Sequence, residues 1–211
     1  MKLSFIAIAA AAIATSGIAT AQPPGQPGTA DPSLVAAGTY NTDPSHTLVQ
    51  WSVSHFGFNP YWGSFGDVEG TLTIDPANLA DAELDVTIPI GSVAVVSDGL
   101  RDHLLRPGSD GGDPDFFGAN PGNARFVSYE VRPTGPTSAT IHGRLTMLGE
   151  TSNVAIAAQF TGAGANPMNQ AQTIGFTGRA RIKRSDYGID FALPAISDEV
   201  DLTISAAFER Q

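Results

Sequence analysis

Apolar and polar residues alternate along most of the chain from residue 47 to residue 208, and this alternation restricts the fold more than any other feature. In one segment, for example, Leu84, Val86 and Ile88 alternate with Asp85 and Thr87. Successive side chains of a β-strand point to opposite faces, so each such segment is typical of a strand with one buried face. The sequence predicts eight of these strands, over residues 47–54, 64–74, 84–90, 127–131, 141–147, 154–160, 174–182 and 200–208.

Eight strands that are apolar on one face cannot remain an open sheet, because an open sheet exposes its edges and its apolar face. The short connections favour antiparallel neighbours, and the sheet then closes into a barrel or folds into a two-sheet sandwich. The alternation of apolar and polar residues stops between Ser97 and Asn123. There, residues 98–105 predict a short helix, and residues 113–117 predict a second one with Pro114 at its first position.

Small residues occupy many positions that share the apolar parity of these strands. In a barrel of about eight strands the interior is just filled by side chains or holds one small ligand. Small inward residues would leave an apolar lumen, whereas glycines that mark coiling and bulges would accompany an interior filled by aromatic rings. The alternation alone leaves both interpretations open. The small positions are Gly66, Gly70, Gly143, Ala158, Gly178, Ala180 and Ala206.

The charge balance excludes one class of partner. The chain has 21 acidic and 11 basic residues, a formal net charge of -10. It therefore lacks the positive surface that phosphate contacts require, and we expect no nucleic acid as a partner. Cysteine is absent, which excludes disulfides and thiolate metal sites.

The N-terminus has the pattern of a secretory signal peptide. Lys2 precedes an apolar segment from Leu3 to Ile13, and Ala19-Thr20-Ala21 forms a cleavage site. We therefore expect residues 1–21 to be removed and the mature protein to be periplasmic. Residues 22–37 are rich in Pro and Gly and predict a flexible tether, so the folded domain is expected to span residues 38–211.

Motifs for catalysis and metal binding are missing from the sequence. It has no nucleophile elbow, P-loop or dinucleotide fingerprint. His46 and His55 are nine residues apart, so a regular strand would point them to opposite faces, and the parity of His142 predicts a solvent-facing side chain. Residues 110–115 are interpreted as a solvated acidic loop, and residues 184–186 as a turn in which an Asp side chain caps backbone amides. The sequence therefore predicts no catalytic residue, no metal and no cofactor.

Short motifs in a fixed order resemble those of the YceI-like family over residues 40–208. The resemblance is carried by His46-x8-His55-x-Gly57, Gly63-x-Phe65, Glu69-Gly70, Asp102-His103-Leu104, Asp115-Phe116-Phe117, Arg125-Phe126, Gly143-x-Leu145-Thr146-x-x-Gly149-x-Thr151, Gly175-Phe176, Arg184-Ser185-Asp186-Tyr187-Gly188-Ile189 and Asp198-Glu199-Val200. Each fragment is weak alone, whereas the ordered set is specific. Residues 106–114 form an insertion relative to this pattern.

The resemblance implies an all-β, eight-stranded antiparallel, lipocalin-like barrel with one or two short helices near one end. It also implies a long apolar tunnel and a periplasmic function in binding, storing or transporting an isoprenoid or other long-chain amphiphilic lipid. Transient contact with a membrane and a homodimer are compatible with that function. The lumen and rim residues expected to contact the lipid are Trp51, Val53, His55, Phe65, Leu72, Leu100, His103, Leu104, Phe116, Phe117, Phe126, Leu145, Phe160, Phe176, Ala180 and Ala206.

Two other functions remain open at the level of sequence. An enzyme acting on such a lipid would use Asp102, His103 and His55, although no nucleophile is identifiable beside them. A barrel whose interior is filled would instead have a structural or stress-response role and bind no ligand.

Overall fold

The computed structural model describes residues 25–211. The predicted cleavage after Ala21 lies outside these residues. Within them the chain forms ten strands and one α-helix. The elements are β1 (Gly38–Thr42), β2 (Leu48–His55), β3 (Asn59–Phe65), β4 (Glu69–Ile74), β5 (Glu83–Pro89), α1 (Asp98–Leu104), β6 (Asn123–Gly135), β7 (Ser138–Met147), β8 (Glu150–Ala165), β9 (Gln172–Lys183) and β10 (Glu199–Arg210).

The strands close into an antiparallel barrel of eight positions. The order β1-β4-β5-β6-β7-β8-β9-β10 returns to its start because β1 also pairs with β10. β2 pairs with the first half of β10 and β1 with its last residues, so these two short strands follow one another along the same neighbour. β3 and β4 likewise pair with β2 and β1. The predicted eight-stranded antiparallel barrel is confirmed.

Two strands differ from the sequence prediction. β1 was not predicted, because Tyr40 is its one large apolar residue and leaves no alternation to detect. Residues 64–74 were predicted as one strand, but they form the end of β3 and all of β4, with a break at Asp67, whose φ is 52°. A positive φ is incompatible with an extended strand, so the chain turns there.

The predicted facing of side chains is wrong at the end of β3, where Phe65 and not Gly66 packs against the buried core, and for part of β6. Val127 and Tyr129 were predicted to face inward with Val131, but both are exposed. Phe126 is buried instead. A β-bulge between Ser128 and Glu130 shifts the register by one residue and returns Val131 to the interior.

One of the two predicted helices forms. Ser97 caps α1 by accepting a hydrogen bond from the Leu100 N–H. Residues 113–117 are not helical and contain bends instead. There the Phe117 N–H donates to the Leu104 carbonyl at 3.0 Å, and the Phe116 and Phe117 rings pack against buried clusters of the barrel. These tertiary contacts outweigh the local signal from Pro114.

The segment expected to be a flexible tether packs on the barrel over residues 29–36, which we call the N-terminal strap. Thr29 and Ala163 exchange two backbone hydrogen bonds of 3.0 and 2.9 Å, on the part of β8 that extends beyond β7. Gln172 Nε2 donates to the Leu34 carbonyl. A Cβ atom at Gly164 would collide with the Pro27 backbone, so glycine there allows the segment to approach β8 closely.

A buried guanidinium holds the connection between β9 and β10. Arg184 is 5% exposed and donates to four backbone carbonyls. Burial lowers the pKa of Arg184, but an arginine remains protonated in proteins. The four acceptors belong to Ile189, Phe191, Ile196 and Ser197.

The predicted Asp cap of this turn belongs to a different residue. Asp198 accepts hydrogen bonds from the backbone N–H and the hydroxyl of Ser185, both at 2.9 Å. Sequence proximity had suggested Asp186. Asp198 reaches the turn because antiparallel pairing of β9 with β10 returns the chain to it.

Replacing Arg184 should destabilise the barrel strongly. Arg184→Ala leaves four buried or partly buried carbonyls without their donor, so we expect the free energy of unfolding to fall by about 2–4 kcal/mol. Arg184→Lys should give a smaller loss than Arg184→Ala. Its ammonium group has fewer donors than the guanidinium, but it can still donate to some of the carbonyls. Urea unfolding of the purified variants measures both effects.

Arg181→Ala is the matched control. Arg181 lies near the end of β9, three residues before Arg184, and pairs with Asp201 and Glu199, but these side chains are exposed. Exposed ion pairs contribute little to stability, so this variant should unfold almost like the wild type. Equal losses for the two alanine variants would contradict the role assigned to Arg184.

Candidate functional site

The barrel interior contains two apolar cavities. The first, which we call the outer cavity, has a volume of about 220 Å³ and reaches from Pro136 and Val35 down to Ile156. The second, the inner cavity, has a volume of about 140 Å³ and lies deeper, between Phe126 and Ile182. The interior is therefore partly hollow.

The two cavities share one stretch of wall. Between them, the Ile156 and Ile204 side chains approach β9 at Gly178, where a Cβ atom would lie 3.0 and 3.3 Å from their methyl groups. These isoleucines belong to the stretch of wall that the two cavities share, which we call the waist. The residues that line both cavities are Leu84, Ile156, Ile204, Ala206 and Phe208.

Inward glycines have two different roles in this lumen. Gly178 lines the outer cavity and helps leave it empty of side chains. The Phe126 ring lies directly over Gly143, so that a Cβ there would collide with the ring. Inward glycines therefore leave open space at Gly178 and accommodate an aromatic ring at Gly143.

The lumen opens at the end of the barrel away from α1. At this end, which we call the mouth, the outer cavity is bordered by Pro76 and Leu79 from the β4–β5 connection, Pro136 from the β6–β7 hairpin, and Pro32 and Val35 from the N-terminal strap. The strap thus forms part of the rim.

The opposite end is filled by side chains. Trp51, Val93, Leu104 and Val200 form a buried cluster beneath α1. Phe65, Phe116 and Phe117 are among the residues that pack against it. Side chains therefore close the α1 end of the lumen, beyond the two cavities.

The predicted contact residues divide between these two regions. Half of them line the cavities and six pack at the closed end. The cavity residues are Leu72, Phe160 and Phe176 in the outer cavity, Phe65, Phe126, Leu145 and Ala180 in the inner cavity, and Ala206 in both. The residues at the closed end are Trp51, Val53, Leu100, Leu104, Phe116 and Phe117.

The two predicted rim histidines lie away from the cavity linings. His55 packs its ring against Phe56 and Tyr61, with ring centroids 4.5 and 6.2 Å apart. His103 packs against Phe116 and Phe191 near α1. Both belong to the α1 end, so their assignment to a ligand rim stays a prediction.

His103 takes part in an ionic cluster. Its Nε2 lies 2.7 Å from Asp115 Oδ2, and Arg106 Nη2 lies 3.2 Å from the same oxygen. The hydrogen bond with His103 holds the pKa of Asp115 below its ordinary value, with a smaller contribution from Arg106. The expected partner, Asp102, is exposed and makes no hydrogen bond to His103 in the described part of the chain. The cluster connects α1 with Arg106, the first residue of the insertion, and with Asp115, which follows the insertion.

Residues at the mouth were missed by the sequence analysis. Val35, Leu79 and Pro136 lie in connections, where no alternation marks an inward side chain. Ile156 and Ile204 could have been included, because they share the parity of Phe160 and Ala206 on β8 and β10.

Neither a metal-binding cluster nor a membrane-spanning helix occurs in the described part of the chain. Among residues 25–211, no group of three or more His, Asp or Glu side chains is arranged to hold a metal ion. In the same part of the chain, no helix has both the length and the hydropathy needed to cross a membrane.

The barrel resembles solved structures of known proteins. BcnA of Burkholderia cenocepacia superimposes with a TM-score of 0.65 at 22% identity, covering 79% of this chain and 98% of that protein. A structure described as a polyisoprenoid binding domain from Saccharophagus degradans, implicated in plant cell wall breakdown, gives a TM-score of 0.56 at 15% identity, with coverages of 82% and 98%. These similarities establish the fold.

Sequence comparison extends the similarity to the family level. A UPF0312 protein of Pseudomonas paraeruginosa is 35% identical over 185 residues, which cover 87% of this chain and 92% of the relative. Residues 40–208 match the family described as the YceI-like domain. The match runs from β1 to β10 and includes every strand of the barrel. The chain therefore belongs to the YceI-like family.

Proposed function

We propose that this protein binds, stores or transports an isoprenoid-type lipid, such as a polyprenyl compound or quinone, in the periplasm. The observation that carries the proposal is the continuous apolar wall shared by the outer and inner cavities. Each methylene group buried against such a wall contributes about 0.8 kcal/mol. A chain of several isoprene units is therefore bound by burial alone, without any chemical step.

Family membership and one structural relative support this proposal. The Saccharophagus degradans domain of the same fold is described as polyisoprenoid binding. The alternative of an enzyme has less support, because His103 bonds to Asp115 instead of Asp102, and His55 packs against Phe56 and Tyr61. A ligand-free barrel is less consistent with a lumen that contains cavities of about 220 and 140 Å³. Membrane contact and a homodimer remain predictions.

The lumen should hold lipid in the natively purified protein. Ala206 lines both cavities, so Ala206→Phe should fill the waist and abolish bound lipid while the barrel still folds. Organic extraction and mass spectrometry measure lipid per chain, and thermal unfolding of delipidated protein measures stability. In a fully packed interior the same change would cost about 1–3 kcal/mol.

Ser205→Phe provides the matched control, because Ser205 is the exposed neighbour of Ala206 on the outer face of β10. It should leave the bound lipid unchanged. Wild-type protein without lipid, together with strong destabilisation by Ala206→Phe, would contradict the proposed function.

The lipid should pass through the mouth beside the N-terminal strap. Thr29 and Ala163 form an antiparallel bridge, and such pairs have Cα separations near 5.5 Å, which suit a disulfide. Because the chain has no cysteine of its own, Thr29→Cys with Ala163→Cys gives one defined cross-link. We expect the oxidised form to take up and release lipid more slowly than the reduced form.

A second cross-link tests whether position matters. Thr146→Cys with Thr151→Cys joins a paired position on β7 and β8 near the closed end. Oxidation there should not change the exchange rate. Equal rates for the oxidised and reduced strap variant would show that the strap is not on the route.

Periplasmic location has a direct test. If residues 1–21 are a cleaved signal peptide, the mature protein begins at Gln22 and is recovered in the periplasmic fraction. N-terminal sequencing of the purified protein reads this residue directly. A sequence that begins at Met1 would contradict the proposed location.

A further inference from the structure

The lining of the lumen carries almost no charge. Within the described residues, Glu83 is the one charged residue that borders either cavity, and it lies on the outer one. Among residues 25–211, no Lys, Arg or His lines either cavity. A head group at the mouth therefore meets a carboxylate and no cation from the lining.

The segments that surround the mouth add to this negative charge. They are the strap, the β4–β5 connection, the β6–β7 hairpin, the β8–β9 connection and the end of β10. Their basic residues, Arg132 and Arg210, already bind Glu130 and the Ala37 carbonyl. The acidic residues of these segments are Asp31, Asp75, Asp81, Glu83, Glu130 and Glu209.

Two residues with hydroxyl groups, Thr137 and Ser138, border the same end of the outer cavity. Thr137 Oγ1 accepts a hydrogen bond from Gln159 Nε2 at 2.8 Å, and Ser138 Oγ accepts one from Thr134 Oγ1 at 3.0 Å. A hydroxyl that accepts one hydrogen bond can still donate its own hydrogen. Both groups can therefore donate to an oxygen atom of a ligand.

On the basis of the proposed function, we infer that the bound lipid has an uncharged head group with an oxygen acceptor, such as a hydroxyl, amide or quinone carbonyl, and that prenyl diphosphates are selected against. A diphosphate requires cations or several N–H donors to replace its hydration. It cannot escape the acidic rim by moving deeper, because an unpaired charge is very costly to bury in an apolar lumen. A neutral oxygen needs only the two hydroxyl donors.

Two ligands with the same chain and different head groups test this inference. Geranylgeraniol and geranylgeranyl diphosphate are titrated against delipidated mature protein by equilibrium dialysis at low and moderate salt. We expect the alcohol to bind about tenfold or more tightly at low salt, because the rim repels the diphosphate. The ratio should shrink as salt rises, because added ions screen charges at the surface.

Variants at the mouth distinguish electrostatic repulsion of the diphosphate from hydrogen-bond donation to the alcohol. Glu83→Gln should tighten diphosphate binding severalfold without changing the alcohol. Thr137→Val combined with Ser138→Ala should weaken the alcohol severalfold. Glu69→Gln, which removes an exposed carboxylate at the far end of β4, is the control and should change neither ligand.

The outcomes distinguish this inference from the proposed function. Diphosphate binding as tight as or tighter than alcohol binding would overturn the inference alone, since the lumen would still hold a prenyl chain. An unchanged diphosphate affinity in Glu83→Gln would also overturn the role of the rim charge. Failure of both ligands to bind would overturn the proposed function, and the inference with it.

Discussion

The pairing of β1 with two neighbours at once is the interaction on which the rest of the structure depends. β1 is five residues long, yet it bonds to β4 on one side and to the end of β10 on the other. Without it, the last part of β10 and the whole of β4 would each present an unpaired edge, and the lumen would be open along its side. Tyr40 at the centre of β1 is completely buried, and its hydroxyl donates to the Ala36 carbonyl at 2.7 Å. Closure of the barrel and docking of the strap are thus linked through one side chain.

Alternation predicted most strands well because it reports a physical requirement that acts on every strand, whereas the choice of a barrel over a sandwich came from the family resemblance. A residue that faces the lumen must be apolar, and its neighbour must tolerate water. The prediction was wrong at β6, where a bulge at Ser128 breaks the period of two. No single residue in the sequence indicates this bulge. Alternation did not predict β1, because this strand has no alternating pattern of its own and is stabilised by pairing with its neighbours. Short strands and bulges depend on tertiary pairing, which a local pattern does not contain.

The candidate site was predictable to the extent that strands build it. The parity of β8, β9 and β10 correctly identified Phe160, Phe176 and Ala206 as cavity residues. The mouth consists of connections, whose inward side chains have no periodic signal, so Val35 and Pro136 could not be found in this way. The family resemblance drew attention to aromatic and histidine motifs such as those around His103, which the structure places at the α1 end in contacts that hold the fold together. A recognisable motif is therefore not by itself a ligand contact.

The filled α1 end has a consequence for how a long molecule can reside in this barrel. A cavity with one aperture admits a chain in one direction only, and the part that enters first must leave last. Under the proposed function, the bound lipid would place its most apolar terminus toward the Trp51 cluster and its other terminus at the solvent. A chain cannot pass through such a barrel from one end to the other, because side chains close the α1 end. Under the proposed function, any acceptor of the lipid would approach the same aperture that the donor used, so that loading and unloading would compete for one place on the protein surface.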